Sequence, residues 1–583
     1  MAKKYPALLL ATVVCLFVPA ARAQYGNVDV FYNYITGVAH DAGFDTGTLP
    51  AVPTPAYKES VAAYFWGFPL QTTYRTQISF LNGNGVGINT LFSPGTIDSG
   101  ATVEAPDVDV LYTSGFLNLT GSSAYVLKVP NTTSTNTYNV MGVVNAYGDT
   151  TYSVGTRNFT TSAVNNSGGN YLLVGPQYNT SQALPSGVIS YIQNTTDQTW
   201  LISRMAVDSY ATATLNGQPT PYNTIAGGAA SPLSIENSKP LAQSYALTPL
   251  ADYLNGQTTA STTTSAPTSE GLAIAQANAT TKTGQAFFQY VGDSVAQNGV
   301  PSSPSNDQAA MYQNFSGIGL TASGYSAPSP AIQSEMNQAA TAAANMLQTM
   351  SANTSALPGA GATSTNWTVN TTLGQYPATY QGWLTNALTA NIGTVANLAV
   401  DGTYPQTTID ANGNPLNGSN AYTISFAAGQ LPPVEGFWSI TVYDAAGYVV
   451  PNTGNTFYGD NVYSIGSMQL ANYLGDNLNT TAVTFLLQPN APTDTALMPF
   501  WLPVPDGQNY ELLLRMYFPN STDPSILNGT YTIPAVQIVP EPATLALLCM
   551  VCAFAVMHRL ALRKRGGLQT GLGAHEWFLE GLL

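Results

Sequence analysis

Short β-branched and aromatic runs alternate with polar, turn-forming residues through the first half of the chain. Residues 57–214 are mostly of this kind. The clearest runs are 124–129 (AYVLKV), 138–144 (YNVMGVV), 170–175 (NYLLVG) and 199–207 (TWLISRMAV). Runs of this length bounded by Asn, Ser, Gly and Pro are typical of strands. The pattern predicts an antiparallel β domain over residues 24–253.

The hydrophobic period changes between residues 254 and 365. Residues 254–270 are polar and low in complexity, which predicts a linker. After Ser329 and Pro330, which suit an N-cap and a first helical position, apolar residues recur every three or four positions up to residue 350. Residues 270–297 predict another helix, and residues 351–365 a second linker. The interval 254–365 therefore predicts linkers and helices.

Strand-like runs return over residues 366–538. The runs AYTISF, GFWSITVYD, VTFLLQ and YELLLRMYF are separated by Asn-Gly and Asp-Gly dipeptides, which favour tight turns. The pattern predicts a second antiparallel β domain, a sandwich or jelly roll. The expected fold is therefore mainly β, with two antiparallel β domains joined by a helical middle segment.

Charge is scarce in this chain of 583 residues. Charged residues make up 8% of it, against about 25% in an average soluble protein, and the net charge is −15. Only eight of the 15 cationic residues lie between residues 24 and 540. They are Lys58, Arg75, Lys128, Arg157, Arg204, Lys239, Lys282 and Arg515. We therefore expect no nucleic acid partner, because a phosphate backbone attracts a basic surface.

Residues 1–23 have the order of an export signal: two lysines, an apolar stretch and a small-x-small site in which Ala21 and Ala23 flank an arginine. We expect signal peptidase to remove them, an uncleaved anchor being the alternative. All three cysteines and two of the three histidines lie outside residues 24–538. With His40 alone, histidine and cysteine catalysis, a metal site and a cofactor are not expected.

The C-terminal residues contain a second predicted targeting signal. Residues 543–557 are apolar but shorter than the roughly 20 residues of a comfortable spanning helix. The tripeptide Pro540, Glu541 and Pro542 precedes this run. The basic residues after it are Arg559, Arg563, Lys564 and Arg565. Residues 539–565 resemble a PEP-CTERM sorting signal of Gram-negative bacteria, followed by a tail at 566–583 that such signals normally lack.

This resemblance implies a transient stop in the inner membrane, processing by an exosortase, and delivery to the cell surface or extracellular matrix. Cations after the apolar run hold that end in the cytoplasm and leave the body outside. A permanent membrane anchor is the alternative.

The body resembles two families that usually occur together. The blocks YFWGFPL, PDVDVLYTSGFLNL, VGTRNFT and YLLVGP resemble the domain of unknown function numbered 1254. The blocks at 416–452, YSIG, WLPVPDG and LLLRMYFP resemble its partner, numbered 1214. The resemblance implies two β-rich domains joined through helices, and it implies no established reaction.

Three arginines are candidate ligand-binding residues, because cations are scarce and each of the three lies in or close to one of these blocks. A buried arginine needs a carboxylate or several carbonyls, so Arg75, Arg157 and Arg515 predict either structural ion pairs or a clamp for an anionic ligand. The candidate carboxylate partners are Asp107, Asp109, Asp444 and Glu511.

Aromatic and acidic side chains complete the candidate set. Strand alternation places Trp438 on a face with Ile440 and Val442, and Tyr443 on the opposite face. Tyr443 could line a polar cleft with Tyr112 and Arg515 or satisfy buried hydrogen bonds. On one strand, Asp107 and Asp109 would share a face and could act as acid and base on a glycosidic bond. The predicted ligand-binding residues are Arg75, Asp107, Asp109, Tyr112, Arg157, Trp438, Tyr443 and Arg515.

Two functions remain open. The first is an exported surface or matrix protein that binds neutral polysaccharide, since tyrosine and tryptophan faces stack on sugars. The second is an extracellular carboxylate-dependent hydrolase or lyase, with its site in the cleft between the β domains. The second predicts a pocket that holds at least two of Asp109, Tyr112, Arg157, Tyr443 and Arg515.

Overall fold

The computed structural model describes most of the region between the two predicted targeting signals. The described residues are 25–97, 106–132, 137–157, 168–207, 238–258, 284–301, 307–353, 361–450, 464–474 and 477–539. The predicted signal peptide, sorting signal, membrane helix and C-terminal tail lie outside these residues. Within the described part, no helix is both long and apolar enough to cross a membrane.

The fold is mixed, with antiparallel sheets and a substantial helical layer. The α-helices are α1 (Val28–Asp41), α2 (Pro55–Asn84), α3 (Ser238–Ala242), α4 (Leu250–Leu254), α5 (Gln285–Asn298), α6 (Asp307–Gln313), α7 (Pro330–Ala352), α8 (Tyr380–Gly393) and α9 (Ser467–Leu474). Helices α1, α2, α5, α7 and α8 contribute to one hydrophobic core.

Two sheets come from the first half of the chain. The first sheet contains β1 (Val110–Leu111), β2 (Ser114–Asn118), β4 (Asn139–Asn145), β5 (Thr150–Gly155) and β8 (Gln198–Ala206). The second sheet contains β3 (Ala124–Val129), β6 (Gly169–Val174), β7 (Val188–Gln193) and β9 (Ala246–Pro249). Residues of both sheets, such as Leu201 and Leu173, meet in one core. All pairs in these sheets are antiparallel except β6 with β7.

Two further sheets come from the second half of the chain, after a short hairpin of β10 (Leu320–Thr321) and β11 (Gly324–Tyr325). The third sheet contains β12 (Gly361–Ala362), β13 (Thr368–Val369), β14 (Gly402–Thr403), β15 (Gln406–Thr407), β17 (Trp438–Asp444), β18 (Ser464–Gly466) and β21 (Tyr510–Tyr517). The fourth contains β16 (Tyr422–Phe426), β19 (Val483–Leu487), β20 (Trp501–Leu502) and β22 (Gln537–Ile538). Ile440 of the third sheet and Phe485 of the fourth lie in a common core.

The main strand predictions are confirmed, and so is the helix that follows Pro330. Residues 124–129 form β3, and the four runs of the second half form β16, β17, β19 and β21. The predicted helix over residues 270–297 is observed from Gln285, and its earlier part lies outside the described residues.

The expectation that residues 57–214 are mostly strand is wrong at its beginning. Residues 55–84 form the long helix α2, which starts after Thr54, whose hydroxyl accepts a hydrogen bond from the backbone N–H of Tyr57, and ends at Gly85 in the left-handed region. Most of α2 is buried, including the consecutive aromatic residues of its first half. A helix buried on all sides shows no amphipathic period, so its apolar run could not be told from strand.

Candidate functional site

A cavity of about 1090 Å³ lies where the helical layer meets the first and third sheets. Helices α2 and α8 form one side of it, and strands β8 and β21 contribute further walls. This volume is slightly above the usual range of small-molecule sites, which is roughly 300–1,000 Å³. The cavity is therefore the candidate functional site.

Strand β8 crosses this cavity with alternate side chains. Trp200, Ile202 and Arg204 line it, whereas Leu201 and Met205 belong to the core between the first two sheets. Successive side chains of a strand point to opposite faces, so one strand can serve a core and a site together. The wall changes along the strand from aromatic through aliphatic to cationic.

Strand β21 divides its side chains in the same way. Leu512, Leu514 and Met516 lie in the core between the third and fourth sheets. The cavity-lining side chains of this strand are Glu511, Leu513, Arg515 and Tyr517. One face of β21 therefore packs in a core and the other lines the cavity, which explains why polar residues alternate with apolar ones in this strand.

Arg515 is held by a dense set of acceptors. Its Nη2 donates to the Tyr443 hydroxyl at 2.5 Å and to the Pro106 carbonyl at 3.0 Å, and its Nη1 donates to the Thr441 hydroxyl at 3.0 Å. Its Nε lies 3.7 Å from Oδ2 of Asp107, and its side chain is 2% exposed. This arginine is a buried, well-compensated cation.

Asp107 and Asp109 are both buried beside Arg515, but not as predicted. They precede β1 in a turn, where Oδ1 of Asp107 accepts a 2.8 Å hydrogen bond from the backbone N–H of Asp109. Tyr517 donates its hydroxyl hydrogen to Oδ2 of Asp107. Ser464 and Gln469 donate to Oδ1 of Asp109, at 2.6 and 3.3 Å. Asp107 lines the cavity, whereas Asp109 lies behind it.

Arg204 is also buried, at 7% exposure, but is held very differently. Its Nη1 donates a 2.6 Å hydrogen bond to Oδ1 of Asn397, and its guanidinium carbon lies 5.9 Å from the centre of the Tyr112 ring. Among the described residues, no carboxylate lies within the 4.0 Å of an ion pair with Arg204. Arg204 thus places a charge at the cavity wall on which the carboxylate of Asp107 acts only from beyond ion-pair distance.

The opposite part of the cavity is apolar. Phe80 of α2 lies 6.0 Å from Phe92 and 5.6 Å from Phe116, between ring centres, and Phe116 stacks on Trp200 at 5.0 Å. Phe80, Phe92 and Trp200 line the cavity. These aromatic rings belong to a small hydrophobic cluster of their own, which also includes Ile202 and Val395.

Burial shifts the pKa values of two carboxyl groups in this region. Burial raises the pKa of Glu511 to about 7, against the opposing effect of Arg515, and Asp444 adds to the increase. Burial and the neighbouring charge of Asp107 raise the pKa of Asp109. Glu511 is therefore a cavity-lining acid that changes its charge near neutral pH.

The structure brings most of the predicted site residues together. Tyr112, Asp107 and Arg515 line the cavity, Tyr443 and Asp109 stand directly behind them, and half-buried Arg75 lines it from α2. Among the described residues, no group of three or more His, Cys, Asp or Glu side chains could hold a metal ion.

Two predicted residues lie elsewhere. Trp438 is 2% exposed in the core between the third and fourth sheets, on the face of β17 that points away from the cavity. Arg157 does not line the cavity and instead pairs with Asp401, with Nε 2.7 Å from Oδ1. Neither residue lines the cavity, since Trp438 packs in a core and Arg157 forms an ion pair with a buried carboxylate.

The sequence analysis missed Arg204, Asn397, Tyr404 and Tyr517. A usable signal was present for Arg204, because TWLISRMAV places it on the same strand face as Trp200 and Ile202. No local sequence pattern indicated Asn397, because its contact with Arg204 joins residues that are 193 positions apart.

Sequence comparison with protein families agrees with the two resemblances. Residues 88–217 match the family described as protein of unknown function DUF1254, and residues 401–521 match the one described as protein of unknown function DUF1214. The chain carries both domains. The cavity takes Arg204 from the DUF1254 domain and Arg515 from the DUF1214 domain. Among curated proteins, none matches this chain in sequence.

A solved structure supports the fold. The VPA0106 protein from Vibrio parahaemolyticus is similar with a TM-score of 0.53 at 15% identity, over 83% of this chain and 100% of that one. An uncharacterized protein from Burkholderia cenocepacia matches with a TM-score of 0.36 at 11% identity, over 88% of this chain and 97% of that one. At this identity, the similarity to the Vibrio protein concerns the fold alone.

Proposed function

We propose that this protein binds a small organic acid in the cavity between its DUF1254 and DUF1214 domains. The observation that carries the proposal is the convergence of Arg75, Arg204 and Arg515 on one cavity. Only eight cationic residues occur between residues 24 and 540, so three of the eight line this single site. The three arginines outnumber the two carboxyl groups of the lining, Asp107 and Glu511, whereas the whole chain has a net charge of −15.

Electrostatics favours an anion over a neutral ligand. An arginine side chain transferred from water into a buried wall loses hydration, and an acid group that pairs with it restores favourable interactions. The surrounding apolar residues lower the local dielectric constant and strengthen this pairing. Concave, largely apolar sites with a few polar groups are also the usual form of small-molecule sites.

A thermal-unfolding screen tests the proposal. The purified protein is heated with the sodium salts of aliphatic and aromatic acids and with the corresponding amides as neutral controls. Because a ligand that binds only the folded state stabilises it, we expect at least one acid to raise the melting temperature while its amide does not. If no acid raises it, or if amides and acids act alike, the proposal is wrong.

The second candidate function is the predicted carboxylate-dependent hydrolase or lyase, acting at the same cavity. Two observations favour it: the hydrogen bond from Tyr517 to Asp107, and the pKa of about 7 at Glu511. A group with a pKa near the working pH is suited to proton transfer. Incubation with oligosaccharides and uronate polymers, followed by mass spectrometry, would reveal cleavage. Activity that survives both Asp107→Asn and Glu511→Gln would contradict this assignment.

We propose in addition that the protein is exported and sorted by an exosortase. The support is the order of the tripeptide at 540–542, the apolar run and the basic cluster, behind an N-terminal signal. Intact-mass measurement of native protein should show a chain that starts at Gln24 and ends near Pro540. Replacing the tripeptide with alanines should retain the full tail in the inner membrane fraction. A native mass that includes Leu583 would contradict the sorting proposal.

Binding of neutral polysaccharide at the surface remains a separate proposal. Its support is the abundance of Asn and Thr in the sequence, together with the exposed tyrosines Tyr152, Tyr448 and Tyr473. Tryptophan contributes less than expected, because the tryptophans in the described part are buried. Affinity electrophoresis through gels that contain the host polysaccharides tests it, and unchanged mobility in all of them would rule it out.

A further inference from the structure

We infer that the ligand is an amphipathic monocarboxylic acid, and that Arg204 binds its carboxylate while the apolar body lies against Phe80, Phe92 and Trp200. This inference rests on the proposed function and narrows it to one class of acid. It also separates Arg204 from the other cavity arginines as the residue that determines specificity.

The first observation is the order of side chains along β8, from aromatic to charged. Trp200, Ile202 and Arg204 follow one another on the same strand face of the cavity. Four residue steps of a strand span about 13 Å. A ligand that lies along this strand therefore meets a cation at one end and aromatic rings at the other.

The second observation is the difference between the two buried arginines. Arg515 already has the Tyr443 hydroxyl, the Pro106 carbonyl and the carboxylate of Asp107 around its guanidinium. Arg204 has one hydrogen bond within the described part of the chain, to Asn397, and no carboxylate at ion-pair distance there. A guanidinium carries five donors in a planar fork that matches a carboxylate, so Arg204 has donors left for a ligand.

The third observation is the chemistry of the far end. Phe80 and Phe92 pack edge to face, and Phe116 stacks behind Trp200. A second carboxylate set among these aromatic rings would lose its hydration to apolar neighbours, which is costly. The cavity therefore favours acids with a single charged group and disfavours short dicarboxylates.

Isothermal titration calorimetry tests the inference with three probes: decanoate, succinate and decanol. We expect decanoate to bind the wild-type protein at least about tenfold more tightly than succinate or decanol. We expect Arg204→Gln to weaken decanoate binding by about 10-fold to 100-fold, the value of a hydrogen-bonded charge, and to leave decanol unchanged. Lys128→Gln, which removes an exposed cation from β3, is the matched control and should bind decanoate like the wild type.

The outcomes separate the inference from the proposed function. If succinate binds as tightly as decanoate, or if Arg204→Gln binds decanoate normally, the inference is overturned although organic-acid binding stands. If no acid binds at all, both fail. The comparison of the three probes on the wild-type protein remains decisive even if the Arg204 variant does not fold.

Discussion

Arg204 donates a 2.6 Å hydrogen bond from Nη1 to Oδ1 of Asn397, a residue 193 positions further along the chain. This contact joins strand β8 of the first sheet to the segment after helix α8 and fixes the guanidinium at the cavity wall. A neutral amide orients the cation without cancelling its charge. Asn397 is therefore a positioning residue for the proposed carboxylate site.

This arrangement predicts that the two buried arginines differ in their effect on stability. Arg515→Gln should lower the free energy of unfolding by about 3–5 kcal/mol, because it leaves Asp107 buried beside the site without its cation. Arg204→Gln should lower it by less, about 1–2 kcal/mol, since no carboxylate at ion-pair distance is left unpaired and the shorter glutamine leaves only Oδ1 of Asn397 without its donor. Urea unfolding followed by circular dichroism measures both, and equal losses would contradict the distinction.

Glu511 predicts a pH dependence of ligand binding. Burial raises the pKa of Glu511 to about 7, so the group is neutral below that pH and negative above it. The groups that face it are Arg515 and Asp444. The affinity for an organic acid should therefore fall by about tenfold between about pH 6 and pH 8, as expected for one added like charge near the site.

Glu511→Gln is the control for this pH dependence, because it keeps the shape of the side chain and removes the titration. The variant should bind the acid with nearly the same affinity across the pH range. Folding stability of the wild type should also decrease as the pH rises from the unfolded pKa of about 4.3 toward 7, since the folded state disfavours the ionised form. A wild-type affinity that rises with pH would contradict the assignment.

The close packing of Gly67 against a neighbouring helix predicts that a larger residue at this position destabilises the helical layer. A Cβ atom added at Gly67 of α2 would lie 2.7 Å from Cγ2 of Val291, a fully buried residue of α5. Gly67→Ala should therefore destabilise the protein by about 1–3 kcal/mol through overpacking. Gly37→Ala is the matched control in α1, where no atom lies within 4 Å of the added Cβ, and it should stabilise by about 0.5–1 kcal/mol. Thermal unfolding that ranks the two variants in the reverse order would refute this packing.

The ion pair of Arg157 and Asp401 predicts a structural coupling between the two halves of the chain. The side chain of Asp401 is 2% exposed and accepts hydrogen bonds from Nε of Arg157 at 2.7 Å and from the hydroxyl of Ser153 at 2.5 Å. A double-mutant cycle with Arg157→Ala and Asp401→Ala should give a coupling energy of about 1–3 kcal/mol in unfolding experiments. Additive effects would show that the pair contributes nothing to stability.

Much of the β structure could be predicted, because short apolar runs bounded by turn residues identify its strands. AYVLKV is bounded by turn residues and forms β3, and GFWSITVYD and YELLLRMYF pair as β17 and β21. Helix α2 could not be predicted, because Phe65, Trp66, Phe68 and Leu70 are all buried and leave no polar face. Strands β17 and β21 are also buried on both faces, but their short length and flanking turn residues identified them.

Several residues of the site could be predicted from the sequence, but their contacts with one another could not. The scarcity of cations pointed to Arg75 and Arg515, and both line the cavity. The contact of Tyr517 with Asp107 joins residues 410 positions apart, and no local pattern encodes such a pair. Arg204 and Arg515 differ in the side chains that contact them. These contacts are known only from the tertiary structure.

The most direct test of the amphipathic-acid site is a crystal structure of the protein with decanoic acid that carries bromine on its terminal carbon. Anomalous scattering locates the bromine independently of the rest of the ligand. We predict a bromine peak among Phe80, Phe92 and Trp200, with the carboxylate against the guanidinium of Arg204. A bromine peak outside the cavity, or one beside Arg204 with the carboxylate at the aromatic end, would contradict it.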